Sequence, residues 1–169
     1  MTTPNQVLHE VAITAIIVKD GKYLITRRAP TKKRFPGMWT VPGGKLETAD
    51  YTSLPKDTTD YWYNVLEQVL RREVQEEVGI AITNITYLTS LATVHADGHP
   101  SLVISCVADY EAGEVRLQPE ETDDFRWVST DEAQTYPLID GIHDELIMAD
   151  AQRLGRKTEW QRASVTTAR

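Results

Sequence analysis

Three glutamates, Glu73, Glu76 and Glu77, stand at i, i+3 and i+4. On a helix that spacing puts them in one stripe, with Val74 and Val78 on the opposite side. Three carboxylates stacked in this way repel one another by ~0.2–0.5 kcal/mol per pair. They also fall in the second half of the helix, where the macrodipole disfavours negative charge. A sequence serving structure alone would interleave lysines, yet only Arg71 and Arg72 are close. Two readings are open: a solvated acidic face, or a site for a hard divalent cation such as Mg²⁺, which takes carboxylate oxygens. Neighbouring segments carry matching chemistry. Pro42-Gly43-Gly44-Lys45 offers backbone carbonyls that a metal can approach closely. Glu120-Glu121-Thr122-Asp123-Asp124 is a second acidic cluster. Arg27, Arg28, Lys32, Lys33, Arg34 and Lys45 supply cations suited to phosphate oxygens, the arginines in bidentate fashion.

These groups need a scaffold. Val7–Val18 is apolar and β-branched and reads as a strand; Asp20-Gly21 turns it into a second strand, Lys22–Thr26. Trp39-Thr40-Val41 reads as a short strand broken by Pro42-Gly43-Gly44. The spacing of Leu66, Val69, Leu70, Val74 and Val78 predicts a helix from about Asp60 to Val78, with Gly79 as its stop. Ile82–His95 and Ser101–Tyr110 read as strands joined through Asp97-Gly98. Val115–Leu117 and Phe125–Val128 read as shorter ones, and Asp140–Leu154 as a closing helix. This order gives an α/β sandwich with a mixed sheet, one domain over residues 1–155, followed by a polar tail, 156–169.

Bulk composition narrows the function classes. The chain has 169 residues, 41% hydrophobic and 25% charged, an ordinary globular balance. No apolar run approaches the ~20 residues of a membrane span. The polar stretch Met1–Glu10 lacks a secretory pattern, and the single cysteine, Cys106, lies in an apolar run where it reads as a buried small hydrophobe. Both fit a reducing, cytoplasmic setting. A net charge of −7 argues against binding a nucleic-acid polymer. It leaves a small polyphosphate substrate open, held by local cations.

Arg72-Glu73-Val74-Gln75-Glu76-Glu77-Val78-Gly79-Ile80 resembles the second half of the Nudix box, R-E-U-x-E-E-x-G-U, without a mismatch. Pro42-Gly43-Gly44-Lys45-Leu46-Glu47 resembles its opening. Leu24–Ala29 is similar to the equivalent strand of MutT-like members, and Trp127-Val128-Ser129 to a later family segment. The resemblance spans roughly Val7–Leu154 and implies a Nudix α/β/α sandwich. One departure interrupts it. Asp50 occupies the position of the first box glutamate, and Arg72 follows it by 22 residues where the family has eight. That implies an insertion of 14 residues, about Tyr51–Asn64, containing Tyr51, Tyr61, Trp62 and Tyr63. Anchoring of these aromatics on the core, stacking on a base and an oligomer contact are the alternatives.

The resemblance implies Mg²⁺- or Mn²⁺-dependent hydrolysis of a phosphoanhydride in a nucleoside diphosphate linked to another group. Glu76 and Glu77 would be catalytic metal ligands, with the carbonyl of Gly43; Glu73 would ligate metal or orient the water, and Glu121, six residues before Trp127, would be a ligand or the general base. Glu120 is the alternative to Glu121. Arg72 would fix a glutamate by a salt bridge. Arg28 and Lys45 would contact phosphates. Asp140 stands where a base-reading asparagine occurs in MutT. His95 and His99 read as loop residues. Nucleoside triphosphates, oxidised ones included, are the expected substrates. Nucleoside diphosphate sugars or ADP-ribose are the alternative, and a non-catalytic nucleotide sensor is the rival of another class. The resemblance leaves a homodimer open, although no extra dimerisation domain is evident.

Overall fold

The computed structural model describes residues 8–157 and 159–163. Strand β1 (Glu10–Lys19) turns through Asp20 and Gly21, both at positive φ, into β2 (Lys22–Arg28). The Asp-Gly pair suits such a tight antiparallel turn because both residues tolerate the left-handed region. Next come β3 (Trp39–Thr40), β4 (Gly43–Lys45), the short helix α1 (Ala49–Thr52) and the long helix α2 (Val65–Val78). A hairpin of β5 (Ala81–Val94) and β6 (Pro100–Ala112) follows, then β7 (Thr122–Val128), α3 (Thr130–Ala133) and α4 (Ile142–Arg153).

The strands form one mixed sheet in the order β3-β2-β1-β6-β5. β1 runs parallel to β6 along nearly its whole length, Glu10 beside Ser101 to Val18 beside Asp109. On its other side β1 is shared. Ala12–Thr14 pair with β4, while Val18 and Lys19 pair with β2. The sheet therefore parts at the middle of β1, and the glycine strand β4 sits at the parting.

Two apolar layers cover the sheet, as the alternation along β1 dictates. Ile13, Ala15 and Ile17 face one way and pack with Val69, Leu70, Val74 and Val78 of α2. Ile16 and Val18 face the other way, with Leu146 and Ala149 of α4. The result is the expected α/β/α sandwich. Cys106 is buried in the α2 layer, and burial pushes its thiol up to about 11.

Several boundaries differ from expectation. α2 begins at Val65 rather than near Asp60, because Asn64 adopts a left-handed φ of 53° and residues 53–64 form a coil with its own hydrogen bonds. Gly43-Gly44 does not break the strand pattern; it forms β4. Val115–Leu117 is not a strand: Arg116 and Gln118 donate instead to the carbonyls of Val78 and Glu77, closing the end of α2. Val7 and residues 164–169 lie outside the described residues.

Candidate active site

α2 carries the three glutamates, and the apolar stripe on its other side fixes their direction. With Val69, Leu70, Val74 and Val78 buried on the sheet, Glu73, Glu76 and Glu77 turn toward β4 and solvent. The glycines of β4 are what let the helix come so close. A Cβ on Gly44 would overlap the Glu73 carboxyl, and one on Gly43 would overlap Ile13 and Thr14 of β1. The Gly43 N–H donates to Glu77 Oε2 at 3.2 Å.

The carboxylates then differ in environment. Burial pushes Glu77 up to about 7; the Gly43 N–H opposes this, the charges of Glu121 and Glu73 add to it, and Arg28 pulls it back. Glu73 is also raised by burial, against the pull of Arg72. Glu76 is more exposed and accepts from Arg72 Nη1 at 2.9 Å. Arg72 Nη2 reaches both Glu73 Oε1 at 2.9 Å and Asp50 Oδ1 at 2.8 Å. One guanidinium thus ties α1 to two glutamates of α2. The sequence alone gives Asp50 no role, since the 14-residue insertion puts it 22 positions before Arg72 instead of eight.

The loop before β7 brings the second acidic group. Glu121 pairs with Lys32, and its backbone carbonyl accepts from Ala29 N–H at 2.9 Å. Arg28 donates to the Arg34 carbonyl at 2.8 Å. The other expected phosphate ligand, Lys45, is in an ion pair with Glu10 at 2.6 Å. Asp140 lies apart from the glutamates, at the start of α4, in contact with Arg162 at 2.7 Å. His95 bridges Arg34 and Ser101, and His99 is exposed beside Asp97.

Among the described residues no three His, Cys, Asp or Glu side chains converge as a closed cation cage. Arg72 and Lys32 hold Glu73, Glu76 and Glu121 as ion pairs in this arrangement. The donor set itself fits a hard divalent cation. It consists of carboxylate oxygens beside a glycine backbone, and Glu77 is a partly buried carboxyl whose nearest charges include two more carboxylates.

Residues 8–149 match the NUDIX domain family. The chain belongs to the Nudix family. It is 33% identical over 146 residues to the NAD-capped RNA hydrolase NudC of Stutzerimonas stutzeri, covering 83% of this chain and 45% of that one. It is 29% identical over 138 residues to the nucleoside triphosphatase NudI of Escherichia coli, covering 75% of this chain and 86% of that one. The chain thus spans less than half of NudC and most of NudI. Among solved structures it resembles the MutT NUDIX hydrolase of Burkholderia pseudomallei, at 26% identity and a TM-score of 0.67 over 83% of this chain and 98% of the other. NudC and NudI are named for hydrolysis of NAD-capped RNA and of nucleoside triphosphates, respectively. No helix among the described residues of this chain is long and apolar enough to cross a membrane.

Proposed function

We propose that this Nudix hydrolase is a Mg²⁺- or Mn²⁺-dependent nucleoside triphosphate pyrophosphohydrolase, releasing a nucleoside monophosphate and pyrophosphate. The observation that carries this reading is Glu77, seated on the Gly43 N–H with Glu73 and Glu121 as its charged neighbours. Glu73, Glu76, Glu77, Glu121 and the Gly43 carbonyl would hold the cation. When bound, the cation screens phosphate charge and acidifies water. Arg72 positions Glu73 and Glu76 through its ion pairs to both, and Arg28 offers a guanidinium to the phosphates. Glu121, paired with Lys32 and carried by the loop before β7 rather than by the helix, is the alternative placed to serve as general base.

The triphosphate is favoured by similarity to NudI, which this chain matches over most of its length. Similarity to NudC favours a second reading, cleavage of a nucleoside diphosphate linked to another group. A panel of nucleotides with Mg²⁺ or Mn²⁺ separates them by product: pyrophosphate in the first case, two phosphorylated halves in the second. Glu77→Gln is expected to abolish turnover on either class while the protein still melts cooperatively. Near-normal turnover in that variant overturns the metal assignment, and nucleotide binding without turnover by the unaltered protein returns the chain to a sensor role.

A further inference from the structure

Arg28 is the cation whose charge reaches Glu77, yet among the described residues it pairs with no carboxylate. Arg27, Lys32, Arg34 and Lys45 each sit in an ion pair. What holds the Arg28 side chain is a carbonyl: its Nε–H donates to the Arg34 backbone oxygen at 2.8 Å. A guanidinium carries its N–H donors in a rigid planar fork. With Nε–H committed to that carbonyl, the plane of the fork is set. The outer Nη1 and Nη2 donors are left for phosphate oxygens, in the bidentate contact that suits arginine. Where the Arg34 carbonyl sits therefore decides where Arg28 points.

The loop that carries this carbonyl is closed at its base. The Arg28 N–H donates to the Met38 carbonyl at 2.9 Å, and the Gly37 N–H to the Arg28 carbonyl at 3.1 Å. Within it Phe35 holds a left-handed φ of 51°, a conformation bulky side chains avoid. Its ring is half-exposed, so burial of Phe35 is not what imposes the turn. Such a turn persists where its surroundings over-determine it, and the Arg34 side chain supplies that constraint. Arg34 Nη1 lies 3.0 Å from His95 Nε2 and 3.4 Å from Glu10 Oε1, and Nη2 lies 3.6 Å from Asp97 Oδ2. An arginine can only donate, so His95 Nε2 is the acceptor. The two posts are joined in turn. Ser101, buried in β6, lies 2.8 Å from His95 Nε2 and 3.2 Å from Glu10 Oε1. Arg34 thus ties the loop to the start of β1 and to the tip of the β5–β6 hairpin, elements that carry none of the site's glutamates.

We propose that Arg34 is the positioning residue for Arg28. His95 and Glu10 fix the Arg34 side chain, the side chain fixes its own carbonyl, and the carbonyl aims Arg28 at the phosphates. The inference rests on the reading of Arg28 as a phosphate contact.

Calorimetric titration with inorganic pyrophosphate and Mg²⁺ tests it, on Arg28→Ala, Arg34→Ala and the double variant. Arg28→Ala is expected to weaken pyrophosphate about tenfold or more, the worth of a charge-assisted hydrogen bond. Arg34→Ala keeps the carbonyl and loses its anchor, and should weaken pyrophosphate by a similar factor. The double variant should be no weaker than Arg28→Ala alone, because residues acting as one unit do not add. Arg34→Lys, which keeps a cation for Glu10, should restore part of the affinity. In kinetics Arg34→Ala raises KM with kcat kept, whereas a mere loss of folded protein lowers kcat. Should Arg34→Ala fail to melt cooperatively, His95→Ala, which removes one post, carries the same expectation at a few-fold. Unchanged affinity in Arg34→Ala, or losses that add in the double variant, overturn the positioning role and leave the hydrolase reading intact. An unchanged affinity in Arg28→Ala overturns that role together with the phosphate contact. Non-additive losses in a protein that hydrolyses no nucleotide support the positioning role and sink only the hydrolase reading.

Discussion

Gly44 and Glu73 occupy nearly the same space. The carboxyl of one lies where the side chain of any other residue at 44 would begin, so the pair fixes how closely α2 approaches β4. Gly44→Ala is accordingly expected to push Glu73 aside by about 1 Å and to lower kcat on the order of 100-fold. The protein should still fold, because the displaced group is the end of a flexible side chain. Steady-state kinetics beside a thermal melt check this; a fall in melting temperature with kcat intact would mean the contact is structural only. At this scale the sequence was informative where spacing encodes direction. Glu73, Glu76 and Glu77 could be placed on one face because a helix repeats every 3.6 residues. Glu145 could not be foreseen, since a buried carboxyl on α4, between Asp144 and Leu146, looks in sequence like any surface glutamate. Nor could the ion pair of Lys45 with Glu10, which lies 35 positions away on another strand.

Asp50 makes α1 part of the catalytic helix's support. Its carboxylate caps the Glu47 N–H at 2.7 Å and holds Arg72, so the coil of residues 53–64 hangs between two points tied together. Tyr51 of α1 packs on Trp62 of the coil at 5.3 Å and Trp62 donates to the Leu54 carbonyl, while Tyr61 and Tyr63 remain exposed. Asp50→Ala should lower stability by only about 0.5–1 kcal/mol, as a part-exposed pair does. Turnover should fall by more than that loss explains, because Arg72 is then free to swing with Glu76. Asp50→Glu, with the same charge on a longer arm, is expected to restore most of the rate. Equal rates in Asp50→Ala and the unaltered protein would show that Arg72 needs no third partner. Elements were legible where periodicity was uninterrupted: β1, β2, β5, β6 and the body of α2 all fall near their expected ranges. The start of α2 was not, since Trp62 and Tyr63 suit a helix and only the left-handed Asn64 and the coil's own hydrogen bonds exclude them from it. β4 was missed for the opposite reason: two glycines have poor strand propensity, and only pairing with β1 makes them one.

For the molecule as a whole, the site is a weak point that ligands should strengthen. A carboxyl whose folded value lies above its unfolded one binds a proton on folding, so it lowers stability as pH rises from the unfolded value to the folded one. Glu77, moved from 4.5 to about 7, should therefore make metal-free protein less stable from about pH 5 to pH 7, by at most ~3 kcal/mol. Melts in a chelator across that range should show the decline, Glu77→Gln should flatten it, and added Mg²⁺ should restore the loss most at the alkaline end. A melting temperature that does not change with pH in the chelator would contradict the burial assigned to Glu77. The mid-sheet pairing has a further consequence, for how the chain reaches this state at all. The parallel partner of β1 lies some 90 residues later, so the sheet's centre cannot close until β6 has been made. Such distant pairings place the folding rate toward the millisecond-to-second range. During synthesis the apolar faces of β1 and β2 would wait, half-covered, for the second half of the chain to emerge from the ribosome.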